Sequence, residues 1–351
     1  MKTSDFDYHL PPEFIAQTPI EPRDAARLLV LHRARGVIEH RTFREIGAYL
    51  QPGDLLVLNR TRVLPARLFA RKPSGGRVEI LLLRQHDALT WEALIGGKHV
   101  RQGTFLKLET DPQGEWPEAI PKVEVIAEGN GAERLIRFSQ PVEPYLPRLG
   151  HVPLPPYIHE PLRDPERYQT VYATEPGSAA APTAGLHFTQ RLLDELQAQG
   201  VQIAYVTLHV GLDTFAPVTV ENPRAHKIHT EWCSLPPETA AAIQRARGDG
   251  KRVIAVGTTT VRTLESAAQN AAITDRNAPV PPYCGNTSLY IIPGYQFKIV
   301  DAMITNFHLP RSTLLMLVSA FAGRETILRA YQIAMQEGYR FYSFGDAMFI
   351  C

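Results

Sequence analysis

The sequence predicts an α/β protein with a small all-β domain inserted into it, and three observations carry that expectation. From Gln190 onward helical patterns alternate with short apolar β-type runs, the arrangement that builds layered α/β folds. From about Val63 to Phe138, β-type runs alternate with Gly, Pro and Asn turns and no helical pattern interrupts them, which reads as a separate all-β unit. Between these regions lies the Pro-rich segment 141–165, in a chain holding 29 prolines. Such segments form extended, rigid connectors, so this one marks a domain crossing. The expected boundaries are 1–62 with 150–351 for the main domain and 63–149 for the insert.

Taken in order, RLLVLH (Arg27 to His32) and DLLVLN (Asp54 to Asn59) have the near-continuous apolar character of buried strands, with a short helix from Phe43 to Leu50 between them. In the insert, RVEILLL, WEALIGG, TFLKLE and ERLIRFS are strands. Gln190 to Gln199 is a helix with Leu192, Leu193 and Leu196 on one face, ended by Gly200, and it feeds a strand from Val201 to Val210. The unit recurs as a helix over Pro237 to Arg247, a strand over Lys251 to Gly257 and a helix over Thr260 to Ala268. Phe297 to Ile304 reads as a last strand, followed by helices at Thr313 to Ala322 and Glu325 to Glu337.

Composition bounds the function classes. The 351 residues are 44% hydrophobic and 21% charged with a net charge of +1, an ordinary soluble balance with no global sign of a polyanionic partner. Cys233, Cys284 and Cys351 form no CxxC pair, which fits free thiols in a reducing compartment. The N-terminus has acids and prolines where a signal peptide needs an apolar run, and Leu314 to Ala322 is too short to span a bilayer. A cytoplasmic protein is expected, with no membrane partner. No heptad seam demands an oligomer, so a monomer is expected.

Three strand ends run into polar loops: HVGLDTF after Val201 to Val210, GTTTVRTLES after Lys251 to Gly257 and TNFHLPRST after Phe297 to Ile304. Ligands in α/β sheets bind outside the carboxyl ends of strands, so these loops are expected to share one site. A fourth segment, PTAGLHFT, combines Thr183, Gly185, His187 and Thr189 just before a helix. A glycine there lets backbone approach a ligand, and imidazole moves protons near neutral pH. The competing reading makes Thr189 an N-cap and His187 a packed core residue. Thr258, Thr259 and Thr260 lie at a helix start suited to an anion, while Arg262 and Glu265 have the spacing of a helix-surface ion pair.

His226, His229 and Cys233 have ligand types suited to zinc, but their spacing matches no closed-site pattern. Neither GxGxxG nor GxxxxGK[ST] occurs, which argues against a dinucleotide-binding Rossmann enzyme or a P-loop NTPase. Arg60, Arg62, Arg67, Arg71, Lys72 and Arg77 form a basic run with no acid among them, the best local candidate for a phosphate-backbone contact. The alternative is a solvated face answered by Glu115, Glu118, Glu124 and Glu128.

Together, DFDYHLPPEFIAQTP, GDLLVLNRTRVLPARL, YQTVYA, PTAGLHFT, HVGLDTF, GTTTVRTLES, DAMITNFHLPRSTLLMLVSAFAG and YRFYSFGDAMFI resemble the S-adenosylmethionine:tRNA ribosyltransferase-isomerase family of queuosine biosynthesis along nearly the whole chain. Asp213 and Ser288 depart from the residues usual in that family, a small residue and Asp respectively. The resemblance implies an α/β-barrel-like main domain with a smaller β-barrel. It also implies transfer and isomerisation of the ribosyl part of S-adenosylmethionine onto 7-aminomethyl-7-deazaguanine at the tRNA wobble position, giving epoxyqueuosine-tRNA with release of adenine and methionine. No metal or cofactor beyond S-adenosylmethionine is implied.

Matched to that chemistry, His187 and His209 are expected as bases and Glu265 as a further catalytic group. Thr183, Gly185, Thr258, Thr259, Thr260, Arg262, Phe307 and His308 are expected around S-adenosylmethionine. Thr258, Thr259, Thr260 and Arg262 would take its carboxylate, Glu265 or Asp301 its ammonium, and Phe188, Phe215 or Phe307 its sulfonium. The six basic residues are the tRNA candidates. Competing readings are a metal-dependent hydrolase using His226, His229 and Cys233, a non-catalytic tRNA-binding protein and a conventional methyltransferase.

Overall fold

The computed structural model describes residues 1–110, 120–211, 218–276 and 278–351, which form two compact units: Met1–Arg62 with Pro155–Cys351, and Val63–Leu154. The first unit opens with β1 (Arg27–His32), β2 (Val37–Thr42) and β3 (Leu55–Asn59), and β4 (Thr61–Val63) follows directly. The second unit holds β5 (Arg67–Arg71), β6 (Arg77–Gln85), β7 (Thr90–Gly96), β8 (Phe105–Leu108), β9 (Lys122–Glu128) and β10 (Glu133–Phe138), then α1 (Leu146–Leu149). These six strands close into an antiparallel barrel in the order β10-β7-β6-β5-β8-β9. Alternation explains the closure: Val78, Ile80 and Leu82 on β6 and Ala93 and Ile95 on β7 are buried, while intervening residues face out.

The first unit continues with β11 (Glu175–Ser178), α2 (Gln190–Ala198), β12 (Gln202–Leu208), β13 (Glu231–Leu235), α3 (Pro237–Gly248), β14 (Val253–Val256) and α4 (Thr258–Asn270). It ends with β15 (Tyr283–Thr287), β16 (Ala302–Asn306), α5 (Thr313–Ala322), α6 (Arg324–Gln336) and β17 (Ala347–Ile350). Its nine-stranded sheet runs β15-β13-β12-β3-β14-β16-β17-β1-β2. This mixed sheet has edge strands at β15 and β2, so the barrel-like main domain is corrected to an open sheet. Its centre, β12, β3, β14 and β16, is parallel. The central strands β3, β14 and β16 are buried throughout. Alternate residues feed two cores: Leu55, Val57, Val253 and Ala255 pack with α3 to α6, and Leu56, Leu58, Ile254 and Val256 pack with α2 and Phe43. Covered parallel strands lose the polar alternation of a half-exposed sheet.

One strand is shorter than its apolar pattern suggests. Residues 298–300 are drawn into a turn because their backbone N–H groups donate to the Glu265 carboxylate at 2.8 to 3.1 Å, so β16 begins only at Ala302.

Candidate functional site

The carboxyl ends of β3 and β12 and the start of α4 are pinned together by one amide. Buried Asn59 donates from Nδ2 to the Leu208 carbonyl at 3.0 Å and to Thr259 Oγ1 at 3.2 Å. Its Oδ1 accepts from the N–H groups of Thr61 and Leu208 at 3.1 Å each. All four hydrogen-bonding positions of the amide are filled, and β3, β12 and the start of α4 are held in register.

Beside this clamp lies a cavity that opens to solvent. Four segments distant in sequence line it: Thr183 with its neighbours, Gly257 to Thr259, Thr305 to His308, and Tyr342 with Ser343. Gly257 turns from β14 into α4 at φ +87°, a backbone region glycine enters without strain. Buried Asn306 organises the wall. Its Nδ2 donates to the Tyr342 carbonyl at 3.2 Å, which fixes the amide's orientation, and to His187 Nε2 at 3.2 Å. Its Oδ1 accepts from Thr183 Oγ1 at 2.9 Å. His187 Nε2 must therefore be the unprotonated acceptor, and burial pushes the His187 pKa down to about 3, with the nearby Arg340 and Arg23 adding to the shift.

His187 thus stands behind Asn306, packed on the Phe43 ring at 5.1 Å, and is absent from the wall. His209 is absent from it too. Its ring stacks on Trp232 at 5.1 Å and its Nδ1 meets Thr61 Oγ1 at 2.9 Å. Burial lowers the His209 pKa, opposed by Glu175. The histidine on the wall is His308, whose Nε2 meets Thr305 Oγ1 at 2.7 Å. Burial pushes its pKa to about 3, so this imidazole is neutral.

Thr183, Thr258, Thr259, Phe307 and His308 all meet at the cavity. Thr260 does not, because its hydroxyl donates to the Val256 carbonyl at 2.7 Å inside the helix. Gly185 is a packing glycine: a Cβ there would lie 2.0 Å from the Tyr172 hydroxyl. Thr189 caps α2, accepting from Leu192 N–H. Phe188 is core, edge-on to Phe43 at 4.9 Å. Asp213 and Phe215 lie outside the described residues, and Ser288 is exposed.

The Arg262 and Glu265 surface pair is also corrected, since α4 is buried from Thr258 to Ala268. Glu265 accepts from Tyr295 as well as from residues 298–300. Those bonds commit its carboxylate to the turn, away from the cavity wall. Asp301 bonds the Val253 N–H at 2.8 Å and pairs with Arg276, at the amino ends of β14 and β16 and so at the far edge of the sheet. Arg262 pairs instead with Glu231 and lines a second cavity with His226, His229 and Leu289. Cys233 is buried on β13, its pKa pushed up to about 12 by burial. Among the described residues no group of three His, Cys, Asp or Glu side chains is placed to hold a metal ion.

Sequence reasoning missed Asn306, Asn59 and Glu231. Asn306 is the last residue of β16, two before His308, and polarity at the end of a buried strand was the available signal. For Glu231 the available signal was Arg262, the one cation of α4.

The basic residues are mostly answered by acids, though not the expected ones. Arg60 pairs with Glu175 and Arg62 with Glu166. On the barrel Arg67 pairs with Glu79, while Arg71 and Arg77 share Glu109 at 2.9 Å each. Lys72 bonds the Lys98 carbonyl. Among the described residues, three barrel cations therefore meet two carboxylates and Lys72 meets a carbonyl. Of the acids expected to answer them, Glu115 and Glu118 lie outside the described residues, and Glu128 approaches Arg134 at 3.8 Å.

Comparison with known proteins follows the same architecture. The profile of the family described as queuosine biosynthesis protein matches residues 3–350. Proteins named S-adenosylmethionine:tRNA ribosyltransferase-isomerase from Symbiobacterium thermophilum and Moorella thermoacetica are each 54% identical, over all of this chain and all of theirs. A crystal structure of S-adenosylmethionine tRNA ribosyltransferase from Thermotoga maritima is 41% identical, covers 99% of this chain and 100% of its own, and superposes with a TM-score of 0.56. No helix among the described residues is long and apolar enough to cross a membrane. With its family's profile matched almost from end to end, the chain belongs to the queuosine biosynthesis protein family.

Proposed function

We propose that this protein transfers the ribosyl part of S-adenosylmethionine to the aminomethyl group of 7-aminomethyl-7-deazaguanine at the tRNA wobble position. The ribose is isomerised to an epoxycyclopentane, giving epoxyqueuosine-tRNA and releasing adenine and methionine. The observation that carries this reading is full-length identity of 54% to proteins named for that activity, in a chain whose separated motifs converge on one strand-end cavity.

The site assignments follow the geometry. Thr183, Thr258, Thr259 and Asn306 offer hydroxyl and amide groups to the nucleoside, with Phe307 beside them. The sulfonium acidifies the ribose 5′ carbon, and the proton there needs an acceptor in reach; the imidazole on the cavity wall is a weak base in the free protein, its pKa held near 3 by burial, and has to gain basicity when substrate binds. His308 holds that place. His187 acts through Asn306 as a positioning residue, and Glu265 drops out of the chemistry. His209, stacked on half-exposed Trp232, stays a candidate base outside the described wall. No cofactor beyond S-adenosylmethionine enters the scheme. The barrel is proposed as an insertion in a discontinuous main domain and as a tRNA-binding unit, in a monomeric cytoplasmic enzyme. Its backbone contacts narrow to Arg71, Lys72 and Arg77, where positive charge exceeds the acids facing it. Arg60, Arg62 and Arg67, each matched by one carboxylate, contribute less.

The test is product chromatography after incubation with S-adenosylmethionine and tRNA carrying or lacking the aminomethyl base. Adenine and methionine appearing only with the modified tRNA are expected. S-adenosylhomocysteine would indicate methyl transfer, and unconsumed S-adenosylmethionine with tightly bound tRNA would indicate a binding protein.

A further inference from the structure

The second cavity is built for a different chemistry from the first. Its floor is Arg262 on α4, which is 5% exposed. Arg262 Nε donates to the Leu289 carbonyl at 3.2 Å, and Nη1 donates to Glu231. Glu231 in turn accepts from Gly211 N–H at 2.8 Å, which fixes the carboxylate and through it the guanidinium plane. Nη2 is closed off from solvent and has no hydrogen-bond partner among the described residues. A buried, charged donor without an acceptor is destabilising, and an anionic oxygen is the partner that relieves it. The rest of the wall carries Ile228, Leu289, Ile291, Leu314 and Leu317, beside His226, His229, Tyr290 and Thr313. That combination suits a carboxylate carried on a short apolar chain.

Two features connect this cavity to the first. Leu314 borders both. Arg262 follows Thr258, a wall residue of the first cavity, by one turn of α4, a rise of about 6 Å. That is the order of distance between the sulfonium and the carboxylate of a methionyl arm. We infer that the second cavity holds the methionyl arm of S-adenosylmethionine, with its carboxylate on Arg262 Nη2 and its methylenes against the leucine wall, while the nucleoside occupies the first. The inference rests on the proposed function and divides its substrate between two cavities. Glu231 is a positioning residue in this arrangement, because it acts by holding Arg262.

The test compares binding of S-adenosylmethionine with that of its decarboxylated analogue by calorimetry on the whole protein. Wild-type protein should prefer the carboxylated form about 10- to 100-fold, the range of a charged hydrogen bond. Arg262→Gln should collapse that preference toward unity, whereas general damage would weaken both ligands alike. Arg262→Lys, which keeps the charge and loses the planar fork, should give an intermediate ratio. If Arg262→Gln does not fold, the wild-type ratio still decides: equal affinity for the two ligands overturns the inference. A preference that survives in Arg262→Gln overturns it as well. Adenine release by wild-type protein separates the two levels. Release with equal ligand affinities refutes only the arm's placement, and absence of release refutes the proposed function.

Discussion

The strand-end cavity and the basic run of the barrel are both polar, yet they are organised in opposite ways. In the cavity, groups from residues 183, 258, 306 and 308 are brought to one wall by three chain segments, and the polar atoms of Thr183, Asn306 and His308 are each oriented by a neighbour. On the barrel, charged residues close in sequence spread along β5 and β6 and are met mostly by carboxylates on the same unit. Convergence of separated residues is costly to build and signals a site. Adjacency of like charges in sequence is weaker evidence, because exposed ion pairs readily absorb it.

The comparison breaks most directly at Asn306. Asn306→Ala removes the acceptor of Thr183 and the donor to His187 together, and adenine release should fall about 10²- to 10³-fold, the effect of losing an oriented polar group in an active site. Intact tRNA affinity should accompany that loss. Next is the clamp: Asn59→Ala leaves the buried Leu208 carbonyl and N–H without their partner, and should cost about 2 to 4 kcal/mol of stability in denaturant unfolding. A pH-dependent effect comes from His187 and His308, both held near pKa 3 in the folded state against about 6.5 unfolded. Their depressed values mean the unfolded chain binds more protons between those limits. Stability is full above about pH 6.5 and is lost as pH falls toward 3, by up to about 1.4 kcal/mol per pH unit for each histidine. His187→Phe and His308→Phe should each flatten that acid limb in thermal melts across pH. The smallest effect is on the barrel. Neutralising Arg71, Lys72 and Arg77 should lower the salt slope of tRNA binding by about 2 and leave S-adenosylmethionine affinity unchanged, while neutralising Arg60 and Arg62 should barely move either.

Much of the fold was legible because its central strands are continuous apolar runs. RLLVLH is β1 residue for residue, and the helix expected from Gln190 differs from α2 at one end only. The strand expected over Phe297 to Ile304 was less legible, since a buried carboxylate 33 to 35 residues earlier decides where the backbone turns. The site divides in the same way. Thr258, Thr259 and His308 reached the cavity because their loops follow the parallel strands β14 and β16, a rule of topology, whereas Thr183 comes from the segment before α2. His187, Gly185, Thr260 and Glu265 did not reach it, because their positions are set by packing and hydrogen-bond partners that sequence spacing does not display. The Tyr172 hydroxyl against Gly185 and the Val256 carbonyl under Thr260 are two such partners.

The central claim is that the strand-end cavity processes S-adenosylmethionine while the barrel's charge holds tRNA, and single-turnover adenine release with modified tRNA tests it most directly. Asn306→Ala should release adenine at least a hundredfold more slowly with tRNA affinity retained, and the triple Arg71, Lys72 and Arg77 neutralisation should release it at the wild-type rate once tRNA is saturating. Near-normal release by Asn306→Ala, or a slow rate in the triple variant at saturating tRNA, would contradict the account.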